Sequence, residues 1–232
     1  MKPKIAQSTT GNLLALLLMM LPTAAYTQDD SEQWISLFNG SDLSNWIPKF
    51  TGHELGVNYR DTFRVEDGIL KVSYDNWQDF DGEFGHIFYD ESFSHYKLLV
   101  EYRFAGAQVR NGPDWAFRNN GVMLHGQSPQ SMTLEQEFPA SIEVQLLGGN
   151  GVDERATANV CSPGTHYVRD GELVTQHCIN SSSDTFHGDQ WVTLEVEVRG
   201  DELIRHTVNG EVVFEYSKTQ LDESDPDAQN LI

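Results

Sequence analysis

The chain has 232 residues, enough for one large domain, with 15 Lys+Arg against 35 Asp+Glu and a formal net charge of −20. That charge argues against binding a phosphate backbone, which needs clustered Lys and Arg, and against docking on anionic lipid. It is compatible with a neutral partner such as a sugar. With 39% hydrophobic and 11% aromatic residues, the chain is too apolar for a disordered acidic tail.

Residues 1–27 contain no acid. Lys2 and Lys4 open the chain, Leu13 to Leu21 is an unbroken apolar run, and Pro22, Thr23, Ala24 and Ala25 follow. This is the three-part pattern of a secretory signal peptide, and the apolar run is too short for a stable bilayer anchor. No cysteine is at hand for lipid attachment. The expectation is cleavage after Ala25 or Thr27, a secreted or periplasmic product, and one domain over 28–232. Cleavage removes two lysines and leaves 13 bases against 35 acids, a net charge of −22. In an oxidising compartment the pair Cys161 and Cys178 defaults to a disulfide. They lack the Cys-x-x-Cys spacing of a metal site. Closing their loop contributes about 3 kcal/mol in the chain-entropy model.

Beyond the leader, apolar and polar residues alternate, the mark of a strand with one buried face. In chain order, strands are predicted at 62–66, 68–74, 84–89, 98–104, 121–126, 141–146, 191–199, 203–208 and 211–216. In the fourth, Val100, Tyr102 and Phe104 share one face, with Glu101 and Arg103 on the other. In the sixth, Ile142, Val144 and Leu146 face the core, and Ser141, Glu143 and Gln145 face away. Val192, Leu194, Val196 and Val198 alternate with Thr193, Glu195 and Glu197. Asp67-Gly68, Gly200-Asp201 and Asn209-Gly210 punctuate these runs as hairpin turns. No long helical stripe appears. The pattern implies an all-β, two-sheet sandwich or jelly roll.

Residues of the outward parity are Glu101 and Arg103, Met123 and His125, and Glu143 and Gln145. On neighbouring strands they would form one polar patch able to bind hydroxyls and move protons. The plainer alternative is that half-exposed strands carry polar residues on their wet face. A two-carboxylate glycosidase would pair Glu143 with Glu101. Gln145, however, stands where a laminarinase-type enzyme places a second acid, and an amide serves as neither nucleophile nor proton donor. His206 shares the face of Ile204 and Val208, which fits a core histidine as well as a site residue. Trp46, Trp77 and Trp115 lie in polar loops, placed to stack on a sugar ring or to cap a core edge. No nucleophile elbow, phosphate loop or dinucleotide fingerprint appears.

Several segments, taken in order, resemble the 3-keto-disaccharide hydrolase domain family. They are Trp34-Ile35-Ser36-Leu37-Phe38-Asn39-Gly40, Phe63-Arg64-Val65-Glu66-Asp67-Gly68, Leu99-Val100-Glu101-Tyr102-Arg103-Phe104, Asn120-Gly121-Val122-Met123-Leu124-His125, Ile142-Glu143-Val144-Gln145-Leu146, Trp191-Val192-Thr193-Leu194 and His206-Thr207-Val208-Asn209-Gly210. The resemblance implies a concanavalin A-like jelly roll and a secreted or periplasmic protein acting on oxidised glycosides. A ketone at C3 acidifies the C2 proton. A base removes that proton, the C1 substituent leaves, and water adds. This route needs no carboxylate nucleophile and accommodates Gln145. Position by position, Glu143 and Gln145 match the family's Glu-x-Gln strand, and Asn120 and His125 match the strand before it. Many members carry Arg in place of His125. His206 matches a His ahead of the Asn-Gly hairpin.

The resemblance therefore implies Glu143 and His125 for proton transfer and Gln145, Asn120 and Arg103 on hydroxyls or the enolate oxygen. Glu101, His206 and Trp115 are further substrate contacts. A divalent ion is the one cofactor under consideration, with His206 as a candidate ligand. Family members usually end in a strand with a Ser-Glu-x-His-Pro-Ile-like segment that is not found before Ile232, so one sheet edge is expected to lack its closing strand. The expected partner is a small carbohydrate, with no nucleic acid and no membrane once the leader is gone. Two other functions stay open: a non-catalytic glycan-binding module on this fold, and an ordinary endo-glucanase.

Overall fold

Alternation becomes sheet from Trp46 to Leu221 in the computed structural model, which describes residues 34–232. The leader expected at 1–27 lies outside the described residues. Fourteen strands form among those described: β1 (Trp46–Phe50), β2 (Phe63–Glu66), β3 (Ile69–Val72), β4 (Gly85–Tyr89), β5 (His95–Tyr102), β6 (Asn119–Leu124), β7 (Ile142–Leu147), β8 (Asn159–Cys161), β9 (Thr165–Arg169), β10 (Glu172–Val174), β11 (Cys178–Ile179), β12 (Val192–Arg199), β13 (Leu203–Val208) and β14 (Glu211–Leu221). A single helical turn, α1 (Pro226–Gln229), follows, its N-terminus capped by the Asp225 carboxylate, which accepts from the backbone N–H groups of Asp227 and Ala228.

Two antiparallel sheets make a sandwich. One has six strands in the order β10-β9-β14-β13-β12-β5, the other four in the order β11-β8-β7-β6. The alternation is read directly into burial: Ile142, Val144 and Leu146 of β7 and Val192, Leu194, Val196 and Val198 of β12 are buried, while the intervening residues are not. These valines and isoleucines, with Val160, Ile204, Val208, Phe214 and Tyr216, form one cluster drawn from both sheets. Each such side chain stabilises the fold by roughly 1.5–3 kcal/mol on burial. The Asn-Gly turn forms as its sequence requires, with Asn209 at φ 48° and Gly210 at φ 89°. β14 runs past its predicted end. Its register breaks between Ser217 and Gln220, with Lys218 at φ 51°, and this bulge lets one strand pair with β13 first and β9 afterwards.

Two hairpin ribbons, β1-β4 and β2-β3, stand apart from these sheets. The strand expected at 68–74 is thus not part of the sandwich: Ile69 and Val72 are exposed. Strands β1, β8, β9, β10 and β11 were not foreseen, being short and interrupted by polar residues. The disulfide forms as expected between Cys161 and Cys178, 17 positions apart, and joins β8 to β11.

Candidate functional site

The site is built on the outer face of the four-stranded sheet. Register places Met123, Glu143, Cys161 and Cys178 side by side across β6, β7, β8 and β11. The next row holds Gly121, Gln145 and Asn159. The opposite parity, Val122, Val144, Val160 and Ile179, lines the core. Glu143 is the only carboxylate in these four strands.

Glu143 is half-buried, and its side chain leans over the neighbouring strand into space left by Gly121. A Cβ at 121 would sit 2.1 Å from its Oε1. Across the sheet its neighbours are the Met123 thioether and the Cys161 half of the disulfide. No hydrogen bond or ion pair reaches its carboxylate among the described residues. Burial without compensation pushes its pKa up to about 7. A carboxyl group so placed accepts or donates a proton near neutral pH.

Gln145 accepts a hydrogen bond at Oε1 from Asn159 Nδ2 at 3.0 Å. Asn159 is buried and is held by the backbone of Ala156 and Ser181. Sequence reading missed Asn159 and Gly121. Their roles depend on cross-strand register, which alternation within one strand does not reveal.

The other expected site residues are placed elsewhere. Glu101 and Arg103 do not share the Glu143 face, because β5 is an edge strand of the other sheet and its polar parity faces outward from the far side of the sandwich. Arg103 pairs with Asp189 at 3.1 Å and lies over the Trp191 ring, 5.0 Å from its centroid. The single patch expected from β5, β6 and β7 is therefore not formed. Asn120 lies opposite Leu146, on the parity of Val122 and Leu124, and its side chain accepts from the backbone N–H of Gly121 at 2.7 Å. His125 follows β6 in a left-handed conformation, φ 48°, and its Nε2 donates to the Gly200 carbonyl at 3.1 Å, at the β12–β13 turn. No hydrogen bond or ion pair joins it to Glu143 among the described residues.

His206 is a core residue, 0% exposed. Its Nδ1 lies 2.9 Å from the Ala158 carbonyl, which only accepts, so Nδ1 carries the proton. Its Nε2 then accepts from the Tyr216 hydroxyl at 3.1 Å. Burial lowers its pKa to about 4. With both nitrogens engaged inside the sandwich, it has no free position for a sugar or a metal. Among the described residues, no group of three or more His, Cys, Asp and Glu is arranged to hold a metal ion. Trp115, 54% exposed, sits in a short 3-10 turn ahead of β6 and stacks on Phe84 at 5.6 Å. A separate depression of about 560 Å³, lined by Glu135, Glu137, His166, His177, Asp222 and Asp227 among others, includes neither Glu143 nor Gln145.

The model of the 3-keto-alpha-glucoside-1,2-lyase-like domain matches residues 33–230, most of the chain. No curated protein matches it.

Proposed function

Since the chain belongs to the 3-keto-alpha-glucoside-1,2-lyase-like domain family, we propose that it cleaves 3-keto-glycosides by elimination and hydration, with Glu143 as the proton-transfer group. The supporting observation is a half-buried, unpartnered carboxyl group, its pKa pushed up to about 7 by burial, on the same sheet face as the Gln145 amide. The Glu143 carboxylate takes the C2 proton, the electron pair moves to an enolate at the C3 oxygen, and the C1–O bond then breaks as C1=C2 forms. The departing oxygen leaves as an alcohol with a proton from the carboxyl group or water. Water adding across C1=C2 returns the 3-keto sugar. In this reading Gln145 holds the enolate oxygen.

An endo-glucanase mechanism has no second carboxylate on these strands. We assign the protein to a secreted or periplasmic location on the leader pattern and the disulfide. No helix among the described residues is long and apolar enough to cross a membrane.

The test is turnover of a 3-keto-glucoside or 3-keto-trehalose by the purified protein, beside Glu143→Gln. The substitution is expected to lower kcat by about 10²–10⁴-fold. Because the ionised carboxylate is the base, the wild-type kcat/KM should rise as pH climbs through about 7. Saturable sugar binding without product would favour a glycan-binding module, and an unimpaired Glu143→Gln variant would remove Glu143 from the reaction.

A further inference from the structure

The amides of Gln145 and Asn159 face each other across β7 and β8, and backbone groups of fixed polarity decide which way both point. Asn159 is 1% exposed. Its Oδ1 accepts from the N–H of Ser181 at 2.9 Å, and its Nδ2 donates to the carbonyl of Ala156 at 3.0 Å. A backbone N–H only donates and a carbonyl only accepts, so the Asn159 amide has one orientation. Its remaining N–H lies 3.0 Å from Gln145, and only Oε1 of Gln145 can receive it. Gln145 must therefore turn its NH₂ away from Asn159, and that NH₂ has no partner among the described residues. It belongs to the same outer face as the Glu143 carboxylate, which fills the space over Gly121, the residue directly opposite Gln145.

We propose that Asn159 is a positioning residue that fixes Gln145 as a hydrogen-bond donor, and that this polarity serves the enolate oxygen that a substrate ketone becomes. The proposal rests on the Glu143 face being the active site. A ketone oxygen takes the Gln145 N–H with no proton of its own to place, and the bond strengthens as negative charge develops on it. A reversed amide would present a carbonyl instead, which accepts from a sugar hydroxyl and repels an enolate. Asn159 thus favours the enolate-forming step, in which the bond from Gln145 strengthens, although it does not touch the substrate.

The test is Asn159→Asp. The introduced carboxylate still accepts from Ser181 N–H, but it draws the Gln145 NH₂ toward itself and turns Oε1 outward. Expected is a loss of about 10²–10³-fold in kcat on the 3-keto-glucoside. Inhibition by the unoxidised parent glucoside should be unchanged, because its hydroxyl accepts from an amide N–H or donates to an amide oxygen. Asn159→Ala frees the amide to turn, and should lose activity without that reversal. Parallel loss toward both ligands, tracking a fall in melting temperature, would mean Asn159 is only structural and overturns the proposal. Should Asn159→Asp not fold, Gln145→Glu presents an acceptor from a half-buried position; full activity there also overturns it. If Glu143→Gln is inactive while Asn159→Asp is unimpaired, the polarity proposal alone fails. If Glu143→Gln keeps full activity, the assignment of the face itself fails.

Discussion

At the scale of single residues, the site depends on one side chain that is absent. Gly121 lies within β6, where a glycine lacks the packing of a β-branched residue. Its backbone is ordinary, so the requirement is space for the Glu143 carboxylate. Gly121→Ala should displace that carboxylate by about an ångström and lower kcat by roughly 10–100-fold, with circular dichroism unchanged. Wild-type turnover in that variant would show that the position over Gly121 is not the working one. Glu143 and Gln145 were legible in the sequence because they break an apolar rhythm. His206 was legible as a histidine on a core parity, and the structure resolves that reading toward the core. Gly121 and Asn159 were not legible, since one matters for the space it leaves and the other for the orientation of a neighbour on a different strand.

At the scale of elements, long alternating strands such as β7, β12 and β13 could be read directly, while β8, β9 and β11 could not. These short strands place Asn159, Thr165 and Cys161 in buried positions, satisfied by hydrogen bonds and a disulfide rather than by apolar periodicity. The polar parity of β5 does face outward as read, but on the other sheet, because alternation says which residues share a face and not which sheet a strand joins. One cross-sheet link carries a consequence for stability. His206 on β13 reaches the Ala158 carbonyl beside β8 and is held neutral by the fold. Its folded pKa of about 4 lies below the unfolded value of about 6.5. Its stabilisation is therefore complete above pH 6.5 and is lost as pH falls toward 4, by up to about 3 kcal/mol. Glu143 has the opposite sign, its raised pKa favouring the fold at acid pH and losing that contribution as pH rises toward 7. Denaturant unfolding in the Glu143→Gln background should thus show a steeper fall in stability between pH 6.5 and 4 than wild type does. The same profile after adding His206→Gln would remove His206 as its source.

At the scale of the whole molecule, the charge of −20 acts on everything that approaches. Its acids repel one another, so the melting temperature should rise as NaCl goes from about 10 mM to about 150 mM and screening sets in. A neutral keto-glycoside feels little of this field, and kcat/KM for it should change less than about twofold over the same range. A strong salt dependence there would point to a charged substrate. The glycine in β6 has a further consequence for anyone improving this protein. Valine or threonine at position 121 would suit a strand better, by up to about 1 kcal/mol on propensity alone. A selection for heat resistance that never measures turnover would therefore tend to fill this position, and its best survivors would be well-folded sandwiches without the Glu143 placement that the proposed reaction uses.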